Sequence, residues 1–415
     1  MFENPRETAA LAEARDRAYS MQLDDIDVSD RYLYQANTHW PYFERLRNED
    51  PVHFHESSLV GPYWSVTRHR EIKDVDQAHD AFSSDLNVAI TDQRDNFELQ
   101  MFIAMDPPKH DHQRKVVAPM VAPRNLAQLE ATIRERAANI LDSLPVGEPF
   151  DWVDLVSVEL TLQMLATLFD FPFEDRYKLK RWSDVASGGP GSGATESHEQ
   201  RREELLECLA YFTELWNERV DQEPRHDMIS MLAHGEATRN MTPEEFLGNV
   251  LLLIVGGNDT TRNSITGGVL ALNEFPDEYA KLRSDPSLIP NMVAEMIRWQ
   301  TPVIHMRRNA LRDIDLGGKQ IKEGDKVVMW YVSGNRDSDV FDDPDALKID
   351  RPNARQHVSF GYGIHRCMGN RLAEMQLRVL WEEILPRFTI EVVGEPERIA
   401  SNLIRSYAAL PVVLH

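Results

Sequence analysis

The spacing of apolar positions divides the chain into a mainly helical middle and strand-forming regions near its two ends. Apolar side chains recur at the period of an amphipathic helix in the segments 126–141, 149–169 and 201–222. Shorter runs rich in β-branched and aromatic residues occur at 52–67, 314–332 and 388–414, the first of them interrupted by Gly61 and Pro62. The pattern predicts a mainly α fold with small β-sheets.

The longest helical pattern begins at a strong start signal. Thr242 can cap a helix, Pro243 suits its first turn, and Glu245 completes a capping box. The pattern continues to Phe275, which predicts a helix about 50 Å long. A helix of this length could cross the whole molecule.

Composition narrows the class of function. The chain carries 68 acidic and 45 basic side chains, a net charge of −23, which argues against general nucleic-acid binding. Its two cysteines, Cys208 and Cys367, offer no disulfide framework and favour a reducing compartment. Cys208 lies in a charged helical stretch, where we expect it to have a structural role.

No segment of the sequence has the length and composition of a membrane anchor. Residues 1–7 lack the basic start and the apolar core of a signal peptide. The longest apolar run, at 250–255, is far shorter than a bilayer span. These features predict a soluble, cytoplasmic protein without a membrane anchor.

The segment 360–369 places one thiol donor in a glycine-rich loop. Six of its positions match a fixed motif: Phe360, Gly361, Gly363, His365, Cys367 and Gly369. Helical sequence follows at 370–384, so the thiol would lie near a helix N-terminus, whose partial positive charge favours a thiolate. The segment resembles the haem-binding signature of the cytochrome P450 monooxygenases.

This resemblance implies a cytochrome P450 fold in which residues 1–415 form a single haem-thiolate monooxygenase domain without a fused reductase. It also implies haem b as the cofactor and O2 as the co-substrate. Cys367 would supply the axial thiolate, which pushes electron density towards the iron and favours O–O cleavage. Phe360 would cover the sulfur with an apolar face, and Gly361 would permit close approach of the backbone.

A second motif lies in the middle of the long predicted helix. Gly256 and Gly257 are adjacent there, although a glycine inside a helix costs about 1 kcal/mol relative to alanine. Together with Asp259 and Thr260 they resemble the oxygen-binding motif of the same family. The resemblance implies that the glycines leave space for dioxygen, that Thr260 hydrogen-bonds the oxygen species, and that Asp259 relays protons from solvent.

Other family positions imply groups that hold the haem propionates. Cationic or hydrogen-bonding side chains stand at four of them: His110, Arg114, Arg308 and His365. Arg307, which precedes Arg308, is an alternative at that position.

Glu295 and Arg298 are one helical turn apart, so their side chains share a helix face. An exposed pair of this kind would contribute little to stability. The resemblance implies instead the structural Glu-x-x-Arg pair of the family, completed by a later arginine, either Arg351 or Arg336.

The resemblance implies that four basic residues cluster around the thiolate face in spite of the acidic total: Arg114, Lys115, Arg366 and Arg371. By resemblance, they form a face that docks an acidic ferredoxin, with electrostatic steering of the encounter. A ferredoxin reductase driven by NAD(P)H would then supply the electrons.

The segments 256–268, 305–310 and 364–377 resemble the bacterial cytochrome P450 family 153, which hydroxylates the ends of medium-chain alkanes and fatty acids. A hydrophobic small-molecule substrate is therefore expected, and the alignment implies five residues that face it: Leu252, Val255, Gly256, Ile304 and Met306. An apolar pocket suits an alkyl chain. Plain core packing is the other explanation for these side chains.

Three other functions are compatible with parts of the sequence. A terpene or steroid hydroxylase could use the same scaffold. A peroxide-driven fatty-acid hydroxylase is disfavoured because relatives of that type lack the acid–threonine pair present here as Asp259 and Thr260. A non-catalytic haem sensor or electron carrier is disfavoured by the combination of a thiolate ligand with a proton relay.

Glycine and serine are concentrated at 187–193, which predicts a flexible connection. The segment lacks the Gly-Lys-Ser/Thr ending of a phosphate-binding loop. By resemblance it joins two helices that roof the substrate channel, so it is either a mobile lid or an idle surface loop.

Overall fold

Helices dominate the computed structural model, which describes residues 8–85, 87–92, 97–188 and 192–415. Part of the predicted flexible connection at 187–193 lies outside the described residues. The described residues form fifteen α-helices: α1 (Ala9–Ser20), α2 (Arg31–Gln35), α3 (Trp40–Glu49), α4 (His69–Gln77), α5 (Lys109–Val117), α6 (Pro123–Asp142), α7 (Glu159–Phe169), α8 (Arg176–Gly188), α9 (His198–Val220), α10 (Met228–His234), α11 (Pro243–Glu274), α12 (Pro276–Ser284), α13 (Ile289–Gln300), α14 (Tyr331–Gly334) and α15 (Asn370–Ile384).

Short strands form the remaining regular structure. Those in the described residues are β1 (Val52–His55), β2 (Tyr63–Val66), β3 (Phe82–Ser83), β4 (Phe150–Asp151), β5 (Met306–Ala310), β6 (Ile314–Leu316), β7 (Lys319–Ile321), β8 (Lys326–Met329), β9 (Ile390–Val392), β10 (Glu397–Arg398), β11 (Tyr407–Ala409) and β12 (Pro411–Leu414). The largest sheet has the order β1-β2-β8-β5-β3, and smaller sheets pair β4-β12-β9, β6-β7 and β10-β11. The predicted fold class, mainly α with small sheets, is confirmed.

The predicted long helix is α11, which has 32 residues. Thr242 caps it as expected, since its hydroxyl accepts a hydrogen bond from the Glu245 N–H over 3.3 Å. The Glu245 carboxylate, however, contacts Lys109 and Gln113 of α5, so it ties α5 to α11. The predicted cap by Thr242 is therefore present, but Glu245 joins two helices and does not complete the capping box.

Two glycines let α11 approach α13 closely. A Cβ at Gly268 would lie 2.8 Å from the Met296 sulfur, and one at Gly267 would collide with the Gln300 side chain. Because side chains of α13 pack directly against the α11 backbone at these points, α11 cannot shift along α13 without losing these contacts. The central helix is therefore fixed against the helix that carries the Glu-x-x-Arg pair.

Two sequence predictions about the elements need correction. The segment 149–169 is not one helix: β4 and a π-helical turn, Val153–Val158, come before α7. The Asp151 carboxylate accepts hydrogen bonds from the N–H groups of Val153 and Leu410, at 3.0 and 2.8 Å, which stops the helix from extending backwards. The sequence analysis also missed strand β5, because two arginines, Arg307 and Arg308, interrupt the alternation of apolar residues that indicates a strand.

Cys208 lies on α9 and is fully buried in the main apolar core, which agrees with the structural role expected for it. Among the described residues, no helix combines the length and the apolar character needed to cross a bilayer.

Candidate active site

A cavity of about 980 Å³ lies between the middle of α11 and the loop that carries Cys367. Gly256 and Thr260 line it from α11, whereas Phe360 and Cys367 line it from the loop. Arg308 of β5 borders the same space. The fold therefore brings both predicted motifs and three of the four predicted propionate partners, Arg114, Arg308 and His365, to a single cavity.

Glycines determine the shape of the loop before α15. Gly361 and Gly363 have φ angles of 65° and 66°, in the left-handed region that residues with a Cβ avoid. A Cβ at Gly363 would also collide with the carbonyl oxygen of Asp76 in α4. The Cys367 N–H donates to the Phe360 carbonyl over 2.8 Å, which closes the loop. Both glycines are thus needed for the backbone path that carries the thiol to the cavity wall.

The surroundings of Cys367 act on its thiol in opposite directions. Burial raises the pKa of Cys367, whereas the Gly369 N–H, the cations Arg114 and Arg366, and the Asn370 N–H lower it. The accessible surface of the side chain belongs to the cavity wall. A thiol in this position can lose its proton when a metal cation binds beside it.

Basic groups that are buried or half-buried border one side of the cavity. Arg114, Arg308 and His365 line it, and the centre of the His110 ring lies 4.2 Å from that of His365. Within the described part of the chain, His110 Nε2 and both ring nitrogens of His365 are buried without a hydrogen-bond partner. Burial, Arg308 and His110 lower the pKa of His365 to about 2, so its ring is neutral. Such a cluster fits an anionic group that accepts hydrogen bonds.

The two adjacent arginines of β5 have different partners. Arg307 pairs with Asp92 and donates to Asn309 over 3.0 and 3.2 Å. Arg308 donates to the Asp76 carboxylate over 2.7 Å and borders the cavity. The geometry therefore favours Arg308 over its neighbour as the group that meets a propionate.

Asp76 is a residue of this site that the sequence analysis missed. It is 2% exposed, and its pKa is raised by burial, an effect that the Arg308 charge opposes. A signal was present in the sequence, because Ile72, Val75 and Asp76 share one face of α4. An acid on an apolar helix face needs buried partners.

The two glycines at the centre of α11 differ in their surroundings. A Cβ at Gly256 would meet nothing within 4 Å, so this position opens onto the cavity. A Cβ at Gly257 would lie 2.7 Å from a methyl group of Leu165 in α7, so this position permits helix packing. Thr260 lines the cavity, and its hydroxyl donates to the Gly256 carbonyl over 2.9 Å.

Asp259 lies on the side of α11 that faces α8. Its carboxylate accepts hydrogen bonds from the Ser183 hydroxyl over 2.9 Å and from Arg262 over 2.8 Å. Arg262 in turn pairs with Asp184 over 3.1 Å. Burial raises the pKa of Asp259, and the Arg262 charge opposes that rise. Asp259 therefore links α11 to α8, and the next residue, Thr260, lines the cavity.

The Glu-x-x-Arg pair lies entirely inside the protein. Glu295 and Arg298 are 0% exposed and joined by two hydrogen bonds of 2.7 and 2.8 Å. Arg351 completes the set, since its Nε donates to both Glu295 oxygens over 3.0 and 3.1 Å. Arg336 instead donates to the carbonyls of Pro344 and Trp299. Of the two arginines that the sequence left open, Arg351 is the one that meets the glutamate.

This buried network also supports the loop 360–369 that carries Cys367, called the thiolate loop below. Arg298 donates to the Asn335 carbonyl over 2.7 Å. The Asn335 side chain donates to the Ser359 hydroxyl and accepts from the Val358 N–H, both over 2.8 Å. The residues just before the signature are therefore held by the Glu-x-x-Arg helix.

Four of the five expected substrate-facing residues line the cavity: Leu252, Val255, Gly256 and Met306. Ile304 is the exception, since it is 0% exposed and packs in a separate core cluster that includes Trp330. Its neighbour Val303 lines the cavity instead. The backbone is extended here, so adjacent side chains face opposite sides and a shift of one residue exchanges them.

Comparison with known proteins agrees with this geometry. A family model described as "Cytochrome P450" matches residues 146–407, a stretch that includes α11, the Glu-x-x-Arg pair and the thiolate loop. The chain belongs to the cytochrome P450 family. It is therefore a cytochrome P450 monooxygenase, of a family that uses haem b and O2.

Solved cytochrome P450 structures match nearly the whole chain. Cytochrome P450-153 from Novosphingobium aromaticivorans is 46% identical, with a TM-score of 0.88 over 94% of this chain and 99% of that one. CYP153D17 from Sphingomonas sp. PAMC 26605 is 48% identical, with a TM-score of 0.90 over 95% of this chain and 100% of that one. Linalool 8-monooxygenase of Pseudomonas putida is 37% identical over 94% of this chain and 99% of its own length. The chain thus resembles bacterial P450 enzymes of family 153.

The residues present fit haem b. Cys367 offers a thiolate donor at the cavity wall, and the unpartnered imidazole nitrogens with Arg308 and Arg114 offer donors for two propionates. Gly256 leaves open space on the α11 side of the cavity. Haem b bound here would supply an iron centre that activates O2.

Proposed function

We propose that this cytochrome P450 hydroxylates the terminal C–H bond of medium-chain alkanes or fatty acids. The observation that carries the proposal is the apolar part of the cavity lining, to which Leu165, Leu252, Val255, Val303 and Met306 contribute together with Gly256. Such a lining suits an alkyl chain, which offers few hydrogen bonds. The two family 153 structures, at 46% and 48% identity, support the same substrate class by resemblance.

Selectivity for the chain end has to come from positioning. A primary C–H bond is stronger than its secondary neighbours, so reactivity alone would favour attack inside the chain. A wall that admits only the methyl end to the reacting position overcomes this preference. In the proposal, Gly256 provides the space for that methyl group and for O2, while Leu165 closes the space beside Gly257.

Proton delivery is assigned to the pair on α11. Reduction of O2 with loss of water consumes two protons, which must reach the cavity from outside. The Thr260 hydroxyl lines the cavity, and Asp259 lies next to it with its carboxylate on Ser183 and Arg262. Asp259 would receive protons on the α8 side, and Thr260 would hold the hydrogen bond at the oxygen.

Electrons are proposed to come from a ferredoxin, reduced by an NAD(P)H-dependent reductase. Lys115, Arg366 and Arg371 are exposed, and Arg114, which precedes Lys115, donates to the Arg366 carbonyl, although the whole chain has a net charge of −23. A basic face on an acidic protein orients an acidic partner during encounter. The short path from this face to Cys367 runs through the signature loop itself.

A spectroscopic titration tests the substrate class. The haem-loaded protein would be titrated with octane, dodecanoic acid and a bulky terpene while the Soret band is followed. The proposal predicts a low-to-high-spin shift with the linear chains, because they displace the water ligand. A shift with the terpene alone would contradict the proposal and favour the second candidate described below.

Product analysis tests the placement of the chain end. Gly256→Val fills the open position on α11, so we expect the share of terminal alcohol among the products to fall. Met306→Leu keeps the side-chain volume and serves as the matched control, with little change expected. An unchanged product ratio in Gly256→Val would show that the methyl group does not lie beside this residue.

A second candidate is hydroxylation of a branched or ring-containing substrate in the same cavity. The specific observation in its favour is the 37% identity to linalool 8-monooxygenase over 94% of this chain. The same titration distinguishes the two candidates.

A further inference from the structure

The carboxylate of Asp76 joins three elements around the haem cavity. Its Oδ1 accepts a hydrogen bond from Arg308 on β5 over 2.7 Å. Its Oδ2 accepts from the Tyr331 hydroxyl over 2.9 Å and from the backbone N–H of Tyr362, in the thiolate loop, over 2.7 Å. One buried side chain thus holds both the propionate-side arginine and the loop that presents the thiolate.

The packing around Asp76 leaves little freedom. A Cβ at Gly361 would lie 3.2 Å from Asp76 Oδ2 and 3.2 Å from the Tyr331 oxygen, and one at Gly363 would collide with the Asp76 carbonyl. Asp76 itself is 2% exposed and Arg308 is 3% exposed. Because the contacts are short and buried, a shift of α4 would be transmitted to β5 and to the loop together.

The three partners of Asp76 favour an ionised carboxylate. Arg308 and the Tyr362 N–H can only donate, so an ionised carboxylate satisfies both at once. An asparagine of the same shape has one acceptor oxygen and would turn its NH2 group towards one of these donors. The negative charge also compensates the buried Arg308 cation, with which Asp76 pairs over 2.7 Å.

We propose that Asp76 is a positioning residue that balances the charge of Arg308 and fixes its orientation relative to the loop that carries Cys367, and thereby helps to set the reduction potential of the haem iron. Asp76 acts through Arg308 and Tyr362. The proposal rests on the assignment of Arg308 to a haem propionate. It is independent of which substrate the enzyme accepts.

The test measures the ferric–ferrous midpoint potential of the substrate-free haem protein and of four variants. Asp76→Asn removes one negative charge beside Arg308, so the potential should shift upwards, because a more positive surrounding favours the ferrous state. Asp76→Glu keeps the charge and should remain closer to the wild-type value. Tyr331→Phe removes one hydrogen bond without a change of charge and should leave the potential nearly unchanged.

The ferrous–CO absorption spectrum shows whether each variant keeps its thiolate ligand, since loss of that ligand would also raise the potential. An upward shift in Asp76→Asn with thiolate ligation retained supports the proposal. A wild-type potential in Asp76→Asn, or equal shifts in Asp76→Asn and Asp76→Glu, would overturn it. If Asp76→Asn does not bind haem, Asp76→Glu is compared with Tyr331→Phe. A larger shift of the potential in Asp76→Glu than in Tyr331→Phe supports the proposal, because only Asp76→Glu moves the carboxylate. A larger shift in Tyr331→Phe overturns it.

Arg308→Gln separates this proposal from the assignment on which it depends. Loss of the arginine cation near the haem should lower the potential. A shift of the potential in Arg308→Gln without one in Asp76→Asn would reject the role of Asp76 but keep the assignment of Arg308 to a propionate. No shift in either variant would reject the propionate assignment of Arg308 as well, whereas a failed substrate titration would leave both potentials unaffected.

Discussion

The buried glutamate of the Glu-x-x-Arg pair gives the sharpest prediction about stability. Glu295→Gln keeps the shape of the side chain and removes its charge. The wild-type carboxylate is 0% exposed and accepts from Arg298 over 2.7 and 2.8 Å, and from Arg351 over 3.0 and 3.1 Å. The Lys348 N–H donates to the same carboxylate over 3.0 Å. Five donor contacts thus converge on one anion.

Loss of that anion leaves two buried guanidinium groups without a counter-charge. Removal of one partner from a buried ion pair costs about 3–5 kcal/mol. That amount corresponds to about two to four powers of ten in the unfolding equilibrium. It is a large share of the roughly 5–15 kcal/mol that stabilises a typical protein. We therefore expect Glu295→Gln to unfold at a much lower urea concentration and to lose haem.

The assay is urea unfolding of the haem protein, followed by far-UV circular dichroism and by the Soret band. Glu44→Gln is the matched control, because Glu44 pairs with Arg15 at the surface, where the two side chains are 33% and 53% exposed. An exposed pair contributes about 0–1 kcal/mol, so this variant should stay close to the wild type. Equal midpoints for the two variants would refute the reasoning from burial.

Three further outcomes are expected. Asp259→Asn should lower the amount of product formed per NAD(P)H consumed, as measured by coupled turnover, since the relay loses its acid; Ser183→Ala should have a smaller effect in the same direction. His305→Gln should make the urea midpoint fall less steeply than in the wild type as the pH is lowered from about 6.5 to about 4. Burial lowers the pKa of His305 from 6.5 to about 4, so the unfolded chain binds one more proton between these values and stability falls as the pH drops through them. Charge reversal in Lys115→Glu with Arg366→Glu should slow reduction by ferredoxin, most strongly at low salt.

Each of these outcomes has a control. Unchanged product per NAD(P)H in Asp259→Asn would remove this residue from the relay. His79→Gln changes an exposed histidine and should leave the pH dependence as it is in the wild type. Lys322→Glu alters an exposed charge beside β7 and should not affect reduction by ferredoxin. Equal slowing by this variant would indicate a general effect of net charge.

Local sequence signals predicted the elements whose structure depends on local contacts. The start of α11 follows from Thr242 and Pro243, and the start of α15 follows the signature directly. Strands β1 and β2 were predicted at their observed positions because a turn joins them. In each case the residues that decide the structure are close together in the chain.

Elements and contacts that depend on distant partners were harder to predict. Strand β5 forms because β8 and β3 flank it, and its own sequence has two arginines at its centre. Ile304 was placed on the wrong side because the direction of a side chain in an extended segment changes with each residue. Asp76 was missed because its partners, Arg308 and Tyr362, are more than two hundred positions away in the chain.

The close contacts that fix α11 against α13 have a consequence for how the enzyme can diversify. The chemical half of the cavity, with Gly256, Thr260 and the thiolate loop, belongs to elements that tolerate little movement. A second set of lining residues, here called the rim, belongs to segments that connect helices and strands and includes Asn87 and Phe97. Descendants of this chain could therefore acquire new substrates by changes at the rim alone. A library confined to those rim positions should yield altered chain-length preference while oxygen activation is retained.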